Sequence, residues 1–366
     1  MARILFFILC VVIAQFSMNC NAQDNSAIHS DKLQKIEVLL NEFMSNGDVP
    51  AISVGLISDG KIIFINKGTF KRNVKRRIDE HSIFQTASIS KIFTAIIVNT
   101  LVIKGKLNLN ESIVTYLPQN YPAKTIEKLK AITVRDLLHH RSGLPSESKI
   151  YKKYRKGNGA FIYNYTSEDF KRDLNKIKLK SKPGEKFYYS NFGYALLGFL
   201  AERVTNESFE NLLQEFVGSK FHLSSTSTHV KNPQNLVTAY RKDKRQIVME
   251  PWVMGKLTAP SGIYSTTSDL SNMILQQLKA YAMNENNSLR LTKDTRSISE
   301  RTNMTYGYGF YVYGNTGSYG HGGEMDGYAG DYSINPKLQR GHVILTSCAG
   351  DEVYGLSTKI ATVLYD

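Results

Sequence analysis

The segment Ser88-Ile89-Ser90-Lys91-Ile92-Phe93-Thr94-Ala95-Ile96-Ile97-Val98-Asn99-Thr100-Leu101-Val102-Ile103 carries apolar side chains nearly all the way round a helical cylinder. A helix apolar on every side belongs in a core. Gly105 is a natural stop, and Ser88 suits an N-terminal cap. Lys91 is the only formal charge between Glu80 and Lys104, and an unpaired buried ammonium is costly or driven neutral. A spacing of three puts Ser88 and Lys91 on one helical face, hydroxyl beside amine at the positive end of the helix dipole. That describes an activated serine nucleophile. The competing reading is a capping serine with a lysine that snorkels to the surface, so the pair needs support from the rest of the chain.

Working outward, Leu33, Ile36, Leu39, Leu40 and Phe43 form a helical stripe ending near Gly47. Ala51 to Ile57 and Lys61 to Asn66 are β-rich runs separated by Asp59-Gly60, a strong hairpin signal. From Gly105 to about Gly255 the chain reads as helix and loop, including a short helix from Val134 that runs into His139-His140. With no third ligand nearby, these adjacent histidines read as packing rather than a metal site. A loop at Pro183 to Asn191 enters a helix from Phe192 to Val204, capped by Ser190 or Asn191, and another helix covers Ser208 to Phe216. A further helix is expected over Leu270 to Leu278. Strands follow at Gly309 to Tyr313, Ser318 to Gly322, Gly330 to Asn335 and His342 to Ser347, with a closing helix over residues 352–364. Strands therefore cluster at both ends with helices between. The economical architecture is α+β, one antiparallel sheet from both chain ends flanked by helices, plus an all-helical lobe. The α/β lobe takes about residues 30–105 and 256–366, the helical lobe about 106–255, and the cleft between them is the expected binding site.

The ends and the composition bound the function. Residues 1–22 hold one charge, Arg3, and an apolar run from Ile4 to Ala14 before Cys20-Asn21-Ala22. This reads as a secretory signal peptide, giving an exported, periplasmic or extracellular protein with no transmembrane segment. A lipid anchor at Cys20 is disfavoured, because Ser17-Met18-Asn19 is a poor approach to a lipidated cysteine. Cys10 and Cys20 belong to the leader, so Cys348 alone remains and no intrachain disulfide is expected. No Cys/His spacing resembles a zinc site, and neither metal nor cofactor is expected. The net charge of +14 suits anionic partners such as cell wall, while export argues against nucleic acid.

Three motifs stand in order: Ser88-Ile-Ser-Lys91, Tyr189-Ser-Asn191 and His321-Gly-Gly323. Together with Leu137 to Leu144, Pro183-Gly184-Glu185 and Ser261 to Thr266, they resemble the serine β-lactamase and penicillin-binding-protein superfamily, in its class C β-lactamase-like branch. That branch includes D-Ala-D-Ala carboxypeptidases, D-aminopeptidases and esterases, and the resemblance spans roughly residues 30–366. It implies a single β-lactamase/transpeptidase-like catalytic domain working through a serine acyl-enzyme. Ser88 would attack a carbonyl. Tyr189 would be the base, directly or with Lys91, helped toward phenolate by positive charge. Asn191 would orient Lys91 and hold a substrate amide, and the backbone at Ser88 and at Gly323-Glu324 would form the oxyanion hole, with His321 lining the substrate site. The third motif departs from the Lys-Thr-Gly usual among penicillin-recognising members. His321 is mostly neutral at pH 7 and Gly322 lacks a hydroxyl, which weakens binding of the carboxylate on a β-lactam or a D-Ala terminus. The expected substrate is therefore an ester, amide or peptide. β-Lactam hydrolysis, or a penicillin-binding sensor that acylates without turnover, is the alternative.

Overall fold

Ile36 and Leu40 are fully buried on the inner stripe of Ser30–Gly47 (α1), as the periodicity predicts. The chain then forms Ala51–Ser58 (β1), turns through Asp59 and Gly60 at φ 50° and 75°, and returns as Lys61–Gly68 (β2). Positive φ at both turn residues matches the twist of a two-residue hairpin, which is why Asp-Gly marks it. The computed structural model describes residues 28–155, 161–241, 247–283, 293–299, 302–350 and 352–366. The leader read in residues 1–22, with Cys10 and Cys20, lies outside them.

The remaining strands are Ile83–Gln85 (β3), Ala239–Tyr240 (β4), Val248–Met249 (β5), Tyr264–Thr266 (β6), Arg296–Ser297 (β7), Met304–Tyr306 (β8), Tyr311–Tyr313 (β9), Ser318–Met325 (β10), Tyr328–Asn335 (β11) and Arg340–Thr346 (β12). Eight of the strands form one antiparallel sheet in the order β2-β1-β12-β11-β10-β9-β8-β7. Its middle pairs the two ends of the chain, Val54 opposite Ile344. Every residue of β1 is buried, because both sheet faces are covered. Ile52, Val54 and Leu56 pack with α1 and with the last helix, Glu352–Tyr365 (α11). On the other face Gly55 meets Thr267–Ala282 (α10) so closely that a Cβ would sit 2.0 Å from Ser271 Oγ. The fold is thus the α+β architecture expected.

Between the sheet halves come Ser90–Ile103 (α2), Ala123–Leu129 (α3), Val134–Leu138 (α4), Lys149–Tyr154 (α5), Ser167–Lys176 (α6), Asn191–Thr205 (α7), Phe209–Leu213 (α8) and Ser219–Phe221 (α9). Helix α2 is buried from Ser90 to Asn99, as its all-round apolar surface requires, and packs against α7. Three expectations need correction. Residues 106–255 are not purely helical, since β4 and β5 form a two-stranded ribbon, too short to leave a period in the sequence. Helix α10 starts at Thr267 rather than Leu270, because the Thr266 side chain accepts from Asp269 N–H and caps it earlier. Ser88 is no cap. It lies in a single 3₁₀ turn, Ala87–Ile89, and α2 begins after it with no side-chain cap.

Candidate active site

The turn that carries Ser88 is held in an uncommon shape. Ala87 has φ 46°, a left-handed conformation that costs an L-residue about 1–2 kcal/mol. Thr86 fixes it from one side, giving its backbone N–H and its hydroxyl to Ile263 O, each at 2.9 Å. Ser90 fixes it from the other, accepting from Ile263 N–H at 3.2 Å. The second serine of the motif is therefore an anchor, and with no cap to serve, the Ser88 hydroxyl faces the cleft.

Lys91 lies one helical turn on, wholly buried. Its Nζ donates to Ser88 Oγ at 3.0 Å and to Pro260 O at 2.9 Å. The expected orienting bond from Asn191 is not what holds it. Asn191 opens α7, its Oδ1 is buried without a partner among the described residues, and the Pro260 carbonyl takes the orienting place. No carboxylate ion pair of Lys91 occurs among the described residues. Burial drives its pKa well below 10.5.

Tyr189 closes the triangle, its OH donating to Ser88 Oγ at 3.0 Å. Lys91 Nζ lies 4.8 Å from the centre of the same ring. Burial raises the Tyr189 pKa well above 10.0, with Tyr311 adding to it and the Ser88 bond opposing. The expected phenolate is thus disfavoured, since the same dry surroundings neutralise amine and phenol alike.

Tyr189 is positioned by a residue the sequence reading assigned to packing. His140, at φ 55°, packs beside Tyr189 with ring centres 4.3 Å apart and planes tilted by 37°. Its Nδ1 accepts from Ser190 N–H at 3.0 Å and its carbonyl from Tyr188 N–H at 2.7 Å. The accepting Nδ1 puts the ring proton on Nε2. Ser190, not Asn191, caps α7, accepting from Gly193 N–H at 2.9 Å. Among the described residues no group of three His, Cys, Asp or Glu is placed to hold a metal ion.

Strand β10 supplies the opposite wall. A Cβ on Gly323 would lie 2.3 Å from Thr86 O and 3.1 Å from Ser88 N, so only glycine lets the strand come this close to the Ser88 amide. His321 Nδ1 donates to Gly322 O at 2.5 Å, leaving Nε2 as a buried lone pair without a partner. Burial, and then Lys91, hold its pKa down to about 3. Ser88, Tyr189, His321, Gly322 and Glu324 line one cleft of about 870 Å³, which runs on to Tyr354 and Tyr365 of α11. None of its described lining residues is Lys or Arg. Asn191 lies outside this cleft, beside Pro260 and Ser261.

The family model for beta-lactamase matches residues 36–365. The chain belongs to the beta-lactamase family. Among solved structures, a penicillin-binding protein homologue from Pyrococcus abyssi, described as octameric, superposes with TM-score 0.77 at 25% identity, covering 91% of this chain and 77% of that one. A class C beta-lactamase mutant superposes with TM-score 0.76, covering 92% and 99%, and at 17% identity shares the fold. Protein flp of Staphylococcus aureus (strain COL) is 25% identical over 338 residues, 88% of this chain and 65% of that protein. A beta-lactamase of Pseudomonas fluorescens is 28% identical over 249 residues, 67% of this chain and 64% of that protein. This beta-lactamase family chain thus spans just under two thirds of the length of these curated relatives.

Proposed function

We propose that the chain is an exported serine hydrolase that cleaves an ester, amide or peptide through an acyl-enzyme on Ser88. The observation that carries this reading is the pair of 3.0 Å contacts to Ser88 Oγ, one from Lys91 Nζ and one from Tyr189 OH. With burial working against both charged forms, the neutral amine is the available proton acceptor and the phenol the available donor. Lys91 takes the Ser88 proton as Oγ bonds to the carbonyl carbon, and the oxyanion faces the Ser88 amide and the β10 backbone at Gly323-Glu324. As the carbon–leaving-group bond breaks, Tyr189 gives its proton to the leaving group and recovers it from the Lys91 ammonium. Water then repeats the cycle on the acyl-enzyme, and His321 acts on the substrate side.

A second reading, β-lactam hydrolysis, draws on the family and on the name of the Pseudomonas fluorescens relative. Against it stands a cleft whose described lining offers no cation for the β-lactam carboxylate. A fluorophosphonate probe followed by mass spectrometry tests the main reading. One adduct on Ser88, absent in Ser88→Ala, is expected, and its absence from folded protein would refute a serine nucleophile. A panel of p-nitrophenyl esters, D-amino-acid amides, D-Ala-D-Ala peptides and nitrocefin then separates the classes. Nitrocefin turnover at a kcat/KM of about 10⁶ M⁻¹s⁻¹ would instead establish the second reading.

A further inference from the structure

Gly322 and Asp331 face each other directly across β10 and β11. Alternation puts both on the sheet face that α11 covers. A Cβ at position 322 would lie 2.2 Å from Tyr354 Cε1, so the glycine is what allows the Tyr354 ring to reach the strand. One turn further along α11, Ser357 Oγ donates to Asp331 Oδ2 at 2.6 Å. A carboxylate thus lines the α11 end of the cleft that begins at Ser88, with Tyr354 and Tyr365.

Among the described residues no cation compensates the charge of Asp331. His342 Nε2 is 3.8 Å away, but burial lowers that imidazole to about 4, so it is neutral at pH 7. The phenols of Tyr313 and Tyr365 both feel the Asp331 charge, which raises their pKa values after desolvation. No Lys or Arg lines the cleft among the described residues, while Glu324, Asp331 and Asp366 do. This occurs in a chain of net charge +14. Among the described residues, Ser318 Oγ, on the same sheet face as Gly322, is buried without a partner on a residue 6% exposed. A carboxylate, aromatic faces and an unfilled acceptor together suit a primary ammonium group, by ion pairing and cation–π attraction.

We infer that Asp331, flanked by Tyr354 where its ring packs on Gly322, is a binding subsite for the ammonium group of an amine-bearing ester, amide or peptide. This rests on the reading of the Ser88 cleft as the substrate site. Asp331 also carries a pH signature. Burial raises its pKa to about 6, opposed by the Ser357 bond, and His342, Tyr313 and Tyr365 around it stay neutral near that pH. Ammonium binding is therefore lost as pH falls below about 6.

The test is binding to full-length Ser88→Ala protein, measured by titration calorimetry with phenethylammonium, 3-phenylpropan-1-ol and 3-phenylpropionate. The ammonium is expected to bind at least about tenfold more tightly than the alcohol at pH 7.5, with the carboxylate weakest. That preference should vanish at pH 5 and in Asp331→Asn. Equal affinities for ammonium and alcohol at pH 7.5, or a preference untouched by Asp331→Asn, would overturn the subsite. The comparison of ligands and pH needs no change at Asp331, so a variant that fails to fold leaves it intact. Failure of the catalytic reading is seen separately, as a missing fluorophosphonate adduct on Ser88.

Discussion

At the scale of single residues, burial decides which group holds the proton. The same desolvation pushes Lys91 down and Tyr189 up, which is why the proposed mechanism makes the lysine the base and the tyrosine the donor. The acid limb of the kcat/KM profile is expected to follow Lys91 deprotonation, at a pH well below the 10.5 of a free lysine. A limb at or above pH 10 would contradict that assignment. Lys91→Met is expected to lower kcat by about 10³-fold with little change in KM, within the range of general-base losses. His140 is a positioning residue, acting through the Tyr189 ring and Ser190 N–H. His140→Asn should lower kcat about tenfold at unchanged KM, and steady-state kinetics with unaltered far-UV circular dichroism would separate this from unfolding.

At the scale of elements, the site depends on how closely β10 approaches the turn before α2. Gly323→Ala puts a methyl 2.3 Å from Thr86 O, and should cost activity about 100-fold while lowering the melting temperature. Gly60→Ala is the control. Its φ of 75° strains an alanine, but nothing lies within 4 Å, so it should cost about 1 kcal/mol and leave Ser88 labelling intact. A Gly323→Ala enzyme with full activity would remove the close-approach argument. The same contrast explains what the sequence made legible. Ser88 and Lys91 were readable from side-chain chemistry at helical spacing, the long strands from periodicity, and Tyr189 only through the resemblance of its motif. The roles of Pro260, His140 and Tyr354 were not. Pro260 acts through a backbone carbonyl, His140 through packing, and Tyr354 through a strand more than 30 positions before it. Strands β7 and β8, two and three residues long, are too short to leave a period.

At the scale of the whole molecule, buried imidazoles govern acid stability. His139 and His342 are lowered to about 4, His321 to about 3, and His140 well below 6.5, each mainly by burial. Below pH 6.5 the unfolded chain binds protons these groups refuse when folded. Their contribution is therefore complete above pH 6.5 and lost as pH falls toward 4. With four such groups the slope approaches about 5 kcal/mol per pH unit at its steepest, comparable with the stability of a domain. Cooperative unfolding with uptake of several protons is expected between about pH 6 and 4, measurable by denaturant melts across that range. A melting temperature flat from pH 7 to 4 would refute it. The sheet adds a consequence of its own. Since β1 pairs with β12 nearly 300 residues later, an early strand spends most of synthesis without one of its neighbours. Long-range closure of this kind is slow, so the sheet closes late in synthesis, and Ser88 meets its opposing strand only after β10 has been made.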